Sequence, residues 1–367
     1  MDVKAAVISA PGADFVIETL TIGEPQADEV LVEIAGVGLC HTDLVFRDGF
    51  APVPMPMVFG HEGAGVVRAV GAAVTSVAPG DAVIVGFSSC GHCARCDENL
   101  PSYCRSFRAL NYAGARPDGS TALARDGTSV ASHFFGQSSF ANFAVTPARN
   151  VVKVDPAGLD LSTLGPLACG LQTGAGAVMR SFDCGAGSSI AIFGAGPVGL
   201  AGVMAAKVRD CARIIVVEPM ASWRALALEL GATDAIDPGA GDVAAAIRAL
   251  WPDGVDFALE TSGRDSAIAA GLAILGSRGM LGLVGVPPSA TDMMSVNIAG
   301  MITFGHRVIG IIEGDSDQQG FIPELIALHR AGRFPFDRLI STFPLDAINE
   351  AIAAQHRGEC VKAVLIP

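Results

Sequence analysis

The chain has 367 residues, half of them hydrophobic and only 17% charged, a balance that excludes disordered and fibrous classes and predicts two or three compact domains. A net charge of −13, with no cluster of Lys or Arg, argues against nucleic acid or an anionic membrane surface as partner, because both need a basic patch. Met1-Asp2-Val3-Lys4 carries no apolar signal region and Leu365-Ile366-Pro367 no lipidation motif, so a cytoplasmic location is expected. Nine cysteines in a reducing compartment then read as metal ligands and buried thiols rather than disulfides. The uncharged run Ile190 to Ala206 is interrupted by Gly194, Gly196, Pro197, Gly199 and Gly202, which argues against a membrane span.

In chain order, the first segment alternates β-type runs (Lys4 to Ile8, Phe15 to Leu20, Glu29 to Val37, Gly63 to Val70, Ala82 to Val85) with Gly, Pro and Asp turns. This predicts an irregular, mostly β domain. Its loops carry Cys40-His41-Thr42-Asp43 and Gly60-His61-Glu62-Gly63, and a thiolate with an imidazole is the ligand chemistry zinc prefers. A zincin helix is rejected, because no second His follows His61-Glu62 at helical spacing and Gly63 and Gly65 disfavour a helix. Alone, Cys40 and His61 would more often be a buried thiol and a core imidazole.

Cys90, Cys93 and Cys96, with Cys104 eight residues on, have the spacing of a four-thiolate structural zinc site with no open position. A ferredoxin cluster would need its fourth Cys after three residues and then Pro. His92 lies inside this loop and reads as a solvated side chain. Arg105 to Ala144 reads as loop, in which Leu110, Tyr112, Phe134 and Phe135 supply surface for a pocket or for ordinary packing. Cys169, among small residues, is either a further metal ligand or another buried thiol, and the sequence alone favours the second.

From Ser188 the pattern changes. Ser189 to Phe193 reads as a buried strand, Gly194-Ala195-Gly196-Pro197-Val198-Gly199 turns into an apolar helix ending near Arg209, and Arg213 to Val217 is a second strand ending at Glu218. This is the dinucleotide fingerprint in its strand, turn, helix, strand setting. Glu218 is placed to accept ribose hydroxyls and to repel a 2′-phosphate, which favours NAD over NADP. Helices over Ala221 to Leu230, Val243 to Leu250 and Asp265 to Leu275 alternate with strands over Val255 to Glu260 and Gly279 to Val284, predicting an α/β doubly wound parallel sheet. Met301 to Thr303 and Val308 to Ile312 read as β-prone runs at an unguarded edge, which suggests pairing across a twofold axis. Helices near Phe321 to Arg330 and Leu345 to His356 and a strand after Lys362 close the chain.

These motifs together resemble the zinc-dependent medium-chain alcohol dehydrogenases over essentially the full length: Gly38 to Asp43, Gly60 to Gly65, the four-cysteine lobe, Gly194 to Gly199 with Glu218, and Val284 to Pro288. The resemblance implies a GroES-like catalytic domain over residues 1–169, completed by 314–367, around a Rossmann domain over 170–313. It assigns Cys40, His61 and Cys169 to a catalytic zinc, making two zinc ions per subunit with the structural one. It makes Asp43 the residue that orients His61, Glu62 a carboxylate near the metal, and Thr42 the hydroxyl that bonds the alcohol. His41 and Lys362 correspond to pyrophosphate contacts, Thr173 to a residue near the nicotinamide, and Gly194, Gly196, Pro197, Val198, Gly199, Glu218 and Val284 to the NAD site.

Two positions depart from the family. Val45 stands where fuller proton relays carry His, so the proton is expected to leave from Thr42 through the ribose to water, or through another base. Trp223 stands where a Lys often holds the adenosine ribose. Within the family, Asn111 to Arg116, Asp118 to Ser120 and His133 to Phe140 look most like bacterial aryl-alcohol (benzyl alcohol) and geraniol dehydrogenases, which points to a bulky apolar primary alcohol, with a homodimer or homotetramer through the Rossmann edge strand. The alternatives are a glutathione-dependent formaldehyde dehydrogenase, with Arg108 attracting a carboxylate, and a non-enzymatic NAD-binding protein.

Overall fold

The computed structural model describes all 367 residues and divides into two compact units: Met1–Cys169 with Asp317–Glu324 and Asp337–Pro367, and Gly170–Ser316 with Leu325–Phe336. No helix is long and apolar enough to cross a membrane.

The first unit is built on two sheets. A five-stranded antiparallel sheet runs Met57–Val58, Asp2–Ile8, Val16–Ile22, Leu123–Arg125, Thr128–Val130. The second sheet centres on Glu29–Gly38, a strand buried along nearly its whole length, which pairs with Gly63–Val70 and with Phe143–Pro147. The last strand, Lys362–Ile366, pairs antiparallel with Val37 and Gly38 and parallel with Ile340–Pro344, so the C-terminus closes the sheet that the N-terminal segment begins. Arg105 to Ala144 holds more order than its sequence suggests. It contains a helix over Phe107–Asn111 and a hairpin whose turn residues, Asp126 and Gly127, both have positive φ, as a two-residue turn between twisted strands requires.

The second unit carries a six-stranded parallel sheet in the order Asp234–Ile236, Arg213–Val217, Ser189–Phe193, Val255–Glu260, Leu275–Leu283, Arg307–Gly310. Counted along the chain this is 3-2-1-4-5-6, the doubly wound dinucleotide-binding topology. Ala191, Phe193, Ile215, Val217, Ala258 and Leu281 form its core, with Ile247 and Trp251 packed on them. Burial on both faces explains why these strands read as continuous apolar runs.

Two expectations are corrected here. Met301 to Thr303 lies in a helix, Ile298–Phe304, because Asn297 caps it by accepting the Gly300 N–H at 3.0 Å and Gly305 ends it at φ 64°. These caps override the β-branched character of the run. Leu275 opens a strand rather than ending a helix, the helix stopping at Ala273.

Candidate functional site

Cys40 is the N-cap of the short helix His41–Arg47, so the first ligand candidate is set on a helix start rather than a free loop. Asp43, fully buried, binds the segments together. Its Oδ2 accepts the Cys40 N–H at 3.1 Å, and its Oδ1 accepts the Gly60 N–H at 3.0 Å and meets His61 Nδ1 at 2.8 Å. With Nδ1 held by the carboxylate, His61 presents Nε2, which is buried without a hydrogen-bond partner. The third segment, a 3-10 turn over Gly165–Ala168, delivers Cys169, and Gly165 lies so close to the Glu62 carbonyl that a Cβ there would sit 2.0 Å from it.

These segments bring donor atoms of Cys40, His61, Glu62 and Cys169 within 4.8 Å of one another. A hydrogen bond from Cys169, and then the His61 charge, hold the Cys40 thiol well below its usual range against the effect of burial. Burial opposes the charged form of His61, but the Asp43 carboxylate and Cys40 thiolate outweigh it and raise its pKa well above normal. A donor set of thiolates around an orphaned imidazole nitrogen fits zinc, and a divalent cation would supply the positive charge that the imidazolium otherwise provides.

Glu62 is fully buried, and burial pushes its carboxyl up to about 7 although the neighbouring Lys362 opposes the rise. Lys362 is itself 1% exposed. Its Nζ pairs with Glu62 Oε2 at 2.5 Å and donates to the Leu39 carbonyl at 3.0 Å. Thr42 is half-buried one residue beyond the exposed His41.

Around His61 stands an aromatic wall. Phe135 stacks on the imidazole at 4.4 Å and 23°, Phe134 meets it edge-on at 5.7 Å, and Phe46, Phe50 and Tyr112 continue the cluster outward. Leu110 and Tyr112 are half-buried, whereas Phe134 is fully buried. Arg108 is exposed on the helix Phe107–Asn111.

The four-cysteine lobe is equally compact. Sulfur to sulfur distances are 4.0 Å for Cys90 to Cys96, 3.7 Å for Cys93 to Cys96 and 4.0 Å for Cys93 to Cys104. Four sulfurs bonded at about 2.3 Å to one zinc would stand about 3.8 Å apart. The Arg105 and Cys96 backbone N–H groups lower the Cys93 thiol to about 6, whereas burial raises Cys104 to about 12. His92 is exposed and turns to the Cys90 carbonyl at 2.7 Å, outside the sulfur cluster.

In the second unit the helix Pro197–Val208 begins at Gly196, which supplies no side-chain cap and so leaves the first-turn N–H groups to an anion. Gly194 needs its positive φ of 100°, and a Cβ on Gly199 would sit 1.9 Å from the Gly194 carbonyl. Beside this turn lies a pocket of about 850 Å³ lined in part by Gly194, Glu218, Pro238, Asp242 and Arg264. Glu218 Oε2 accepts the Ala195 N–H and Oε1 the Met220 N–H, each at 2.8 Å, so the acid also fixes the glycine turn. Thr173 is buried on the helix Gly170–Gly176, Val198 lies in the first turn of the following helix, and the Val284 N–H is held by the Glu260 carbonyl.

Sequence reasoning missed one participant, Gln137, whose amide brackets the backbone of His61 and Gly63 from 74 or more residues away. No local pattern announces such a long-range contact.

Two family models match the chain: the alcohol dehydrogenase GroES-like domain over residues 26–156 and the zinc-binding dehydrogenase over residues 197–328. The chain is 48% identical to the geraniol dehydrogenase of Castellaniella defragrans, over 99% of this chain and 97% of that one. The crystal structure of benzyl alcohol dehydrogenase from Acinetobacter calcoaceticus superposes with a TM-score of 0.96 at 40% identity, covering 100% and 99% of the two chains. A zinc-binding dehydrogenase of Sinorhizobium meliloti bound to NADP superposes at 0.84 and 26% identity, covering 100% of both. With the GroES-like and Rossmann folds, both thiolate clusters and the glycine turn in place, the chain belongs to the zinc-binding medium-chain alcohol dehydrogenases and is a nicotinamide-dependent enzyme.

Proposed function

We propose that the enzyme reversibly oxidises a bulky apolar primary alcohol, aryl or allylic, to its aldehyde with NAD. The observation that carries this reading is the aromatic wall of Phe46, Phe50, Tyr112, Phe134 and Phe135 against the His61 ring of the donor set. Phe46, Phe134 and Phe135 are buried, so a substrate would meet the half-buried Phe50 and Tyr112 at the edge of the cluster, which favour a flat or branched apolar alcohol over a small polar one. The relatives named for geraniol and for benzyl alcohol agree with it.

Cys40, His61 and Cys169 would hold the catalytic zinc, and Cys90, Cys93, Cys96 and Cys104 a structural one. When bound, the catalytic ion acts as a Lewis acid that lowers the pKa of an alcohol hydroxyl. Asp43 keeps His61 in the ligating tautomer, and Thr42, half-buried two residues after Cys40, would take the hydroxyl proton toward solvent. Glu62 supplies a buried carboxyl able to enter or leave the donor set, held in reserve by Lys362. The glycine turn and its helix would take the pyrophosphate, with His41 as a further contact, and Glu218 the adenosine ribose. Arg224 favours NAD as well, because Asp237, at 3.0 Å, and the Glu218 and Pro219 carbonyls already occupy its guanidinium.

Exposed Met293, Ile298, Ile302 and Phe304 beside the edge strand Arg307–Gly310 support assembly of identical chains through that edge, and a monomer by light scattering at micromolar concentration would exclude it. The deciding experiment is a panel of initial rates with benzyl alcohol, geraniol, ethanol and the glutathione-formaldehyde adduct, each with NAD and NADP. A preference for benzyl alcohol or geraniol with NAD supports the reading. Turnover of the glutathione adduct alone would replace it with the formaldehyde dehydrogenase, and ethanol as the best substrate would reject a bulky apolar alcohol as the substrate.

A further inference from the structure

Residues 133–138 form an unusual turn. His133, Phe135, Gly136 and Ser138 all have positive φ, at 66°, 50°, 71° and 56°, and three of these four carry a Cβ. Non-glycine residues persist in this region only where the surroundings over-determine them, and such clusters mark sites where geometry matters. Here the restraints are visible. Ser138 Oγ accepts the Phe134 N–H at 3.0 Å and donates to the Val58 carbonyl at 2.6 Å, while His133, Arg116 and Glu29 form a buried polar cluster behind the turn.

What the turn delivers is Gln137, whose Nε2 also donates to the Val85 and Gly86 carbonyls at 2.9 and 3.1 Å and so ties the His61 segment to the neighbouring strand. Gln137, 2% exposed, donates from Nε2 to the His61 carbonyl at 3.0 Å and accepts the Gly63 N–H on Oε1 at 3.2 Å, so its amide spans the backbone around His61 and Glu62. Phe135, from the same turn, lies flat on the imidazole. Asp43 restrains the ring at one nitrogen only, which leaves rotation about the Asp43 to His61 axis open. A stacked ring face closes that freedom, and a backbone bracket fixes the Cα from which the ring projects.

We infer that Phe135 and Gln137 are positioning residues for the metal-binding imidazole: the strained turn 133–138 is a template that aims His61 Nε2 into the Cys40, Cys169 donor set. The inference rests on the assignment of His61 as a zinc ligand. It accounts for a strained, polar-anchored turn next to the ring, and it gives Phe135 a role distinct from forming an apolar wall, which other hydrophobic residues would fill equally well.

The test compares Phe135→Leu, Phe135→Tyr and Gln137→Glu with the parent enzyme. Zinc release to a chromogenic chelator is read as separate fast and slow phases, and the d–d absorption of cobalt(II)-substituted protein is recorded. Outer-sphere partners of ligating histidines are typically worth about 10- to 100-fold in metal affinity or activity. Phe135→Leu and Gln137→Glu should therefore speed release from one of the two sites roughly tenfold or more, shift the cobalt bands and lower kcat with KM little changed. Phe135→Tyr, which keeps the ring face, should restore all three. Phe87→Leu is the packing control, since the buried Phe87 ring meets Phe107 and touches neither Phe135 nor His61. Parent-like cobalt bands and release rates in both Phe135→Leu and Gln137→Glu would overturn the inference, as would an equal change in Phe87→Leu. A parent protein that binds one metal equivalent only would instead remove the zinc assignment on which the inference depends.

Discussion

Glu29 and Arg116 form a bidentate ion pair inside the first unit, at 2.7 and 2.9 Å, with side chains 4% and 7% exposed. Burial raises the Glu29 carboxyl, but bonds from His133 and Arg116 overcome it and bring the pKa from 4.5 down to about 2. A carboxyl depressed in the folded state contributes its full stability above its unfolded value and loses it as pH falls through the folded one. Here the window runs from pH 4.5 down to about 2. The shift corresponds to about 3 kcal/mol at pH 7 and to less than half of that at pH 3. Removing one partner of a buried pair typically costs about 3–5 kcal/mol, because the other charge is left unpaired. The perturbation is Glu29→Gln. The assay is urea unfolding of the first unit followed by near-UV circular dichroism of the aromatic cluster, with parent and variant both stripped of metal so that thiolate protonation cancels. The urea midpoint of the variant should fall by roughly 1 M at pH 7, and the gap should narrow to less than half by pH 3. Equal midpoints at pH 7, or a gap unchanged from pH 7 to pH 3, would refute the reasoning.

Other outcomes follow from individual contacts. Thr42→Ala should lower kcat roughly a hundredfold with little change in KM, since it removes a proton carrier rather than a binding surface; parent-like turnover across the pH range would exclude that role. Cys93→Ala should release one zinc equivalent and lower the thermal midpoint by roughly 10 °C, and an unchanged melting curve would show that the lobe is not a structural metal site. Asp237→Asn frees the Arg224 guanidinium from its carboxylate, so NADPH should bind roughly fivefold tighter by fluorescence titration, whereas an unchanged ratio of NADPH to NADH affinity would show that Arg224 does not reach the 2′ position. Gly174→Ala places a Cβ 1.9 Å from the Val198 carbonyl and should cost about 2–3 kcal/mol. Because both tryptophans, Trp223 and Trp251, lie in the second unit, their fluorescence in urea reports that loss directly.

Local chemistry was legible wherever one short segment carries it. The strands Ser189–Phe193, Arg213–Val217 and Val255–Glu260 appear where the apolar runs predict them, because a strand buried on both faces leaves an uninterrupted hydrophobic signal. The four-cysteine lobe is equally local, since ligands fourteen residues apart at most need little beyond their own loop to meet. The run Met301 to Thr303 was misread because its β-branched residues were weighed above the Asn297 cap and the Gly305 stop, which decide a short exposed helix.

Tertiary structure alone decided the rest. Cys169 stands 108 residues beyond His61, and only the packing of the Gly165–Ala168 turn on Glu62 turns an ordinary buried thiol into a member of the donor set. Lys362 meets Glu62 because the last strand pairs beside Gly38, and Gln137 reaches His61 because the chain returns through a strained turn. Residue type and spacing determine which chemistry a segment is able to perform. Which distant groups share a buried volume, and so shift one another's charge and fix one another's orientation, follows only from the folded packing.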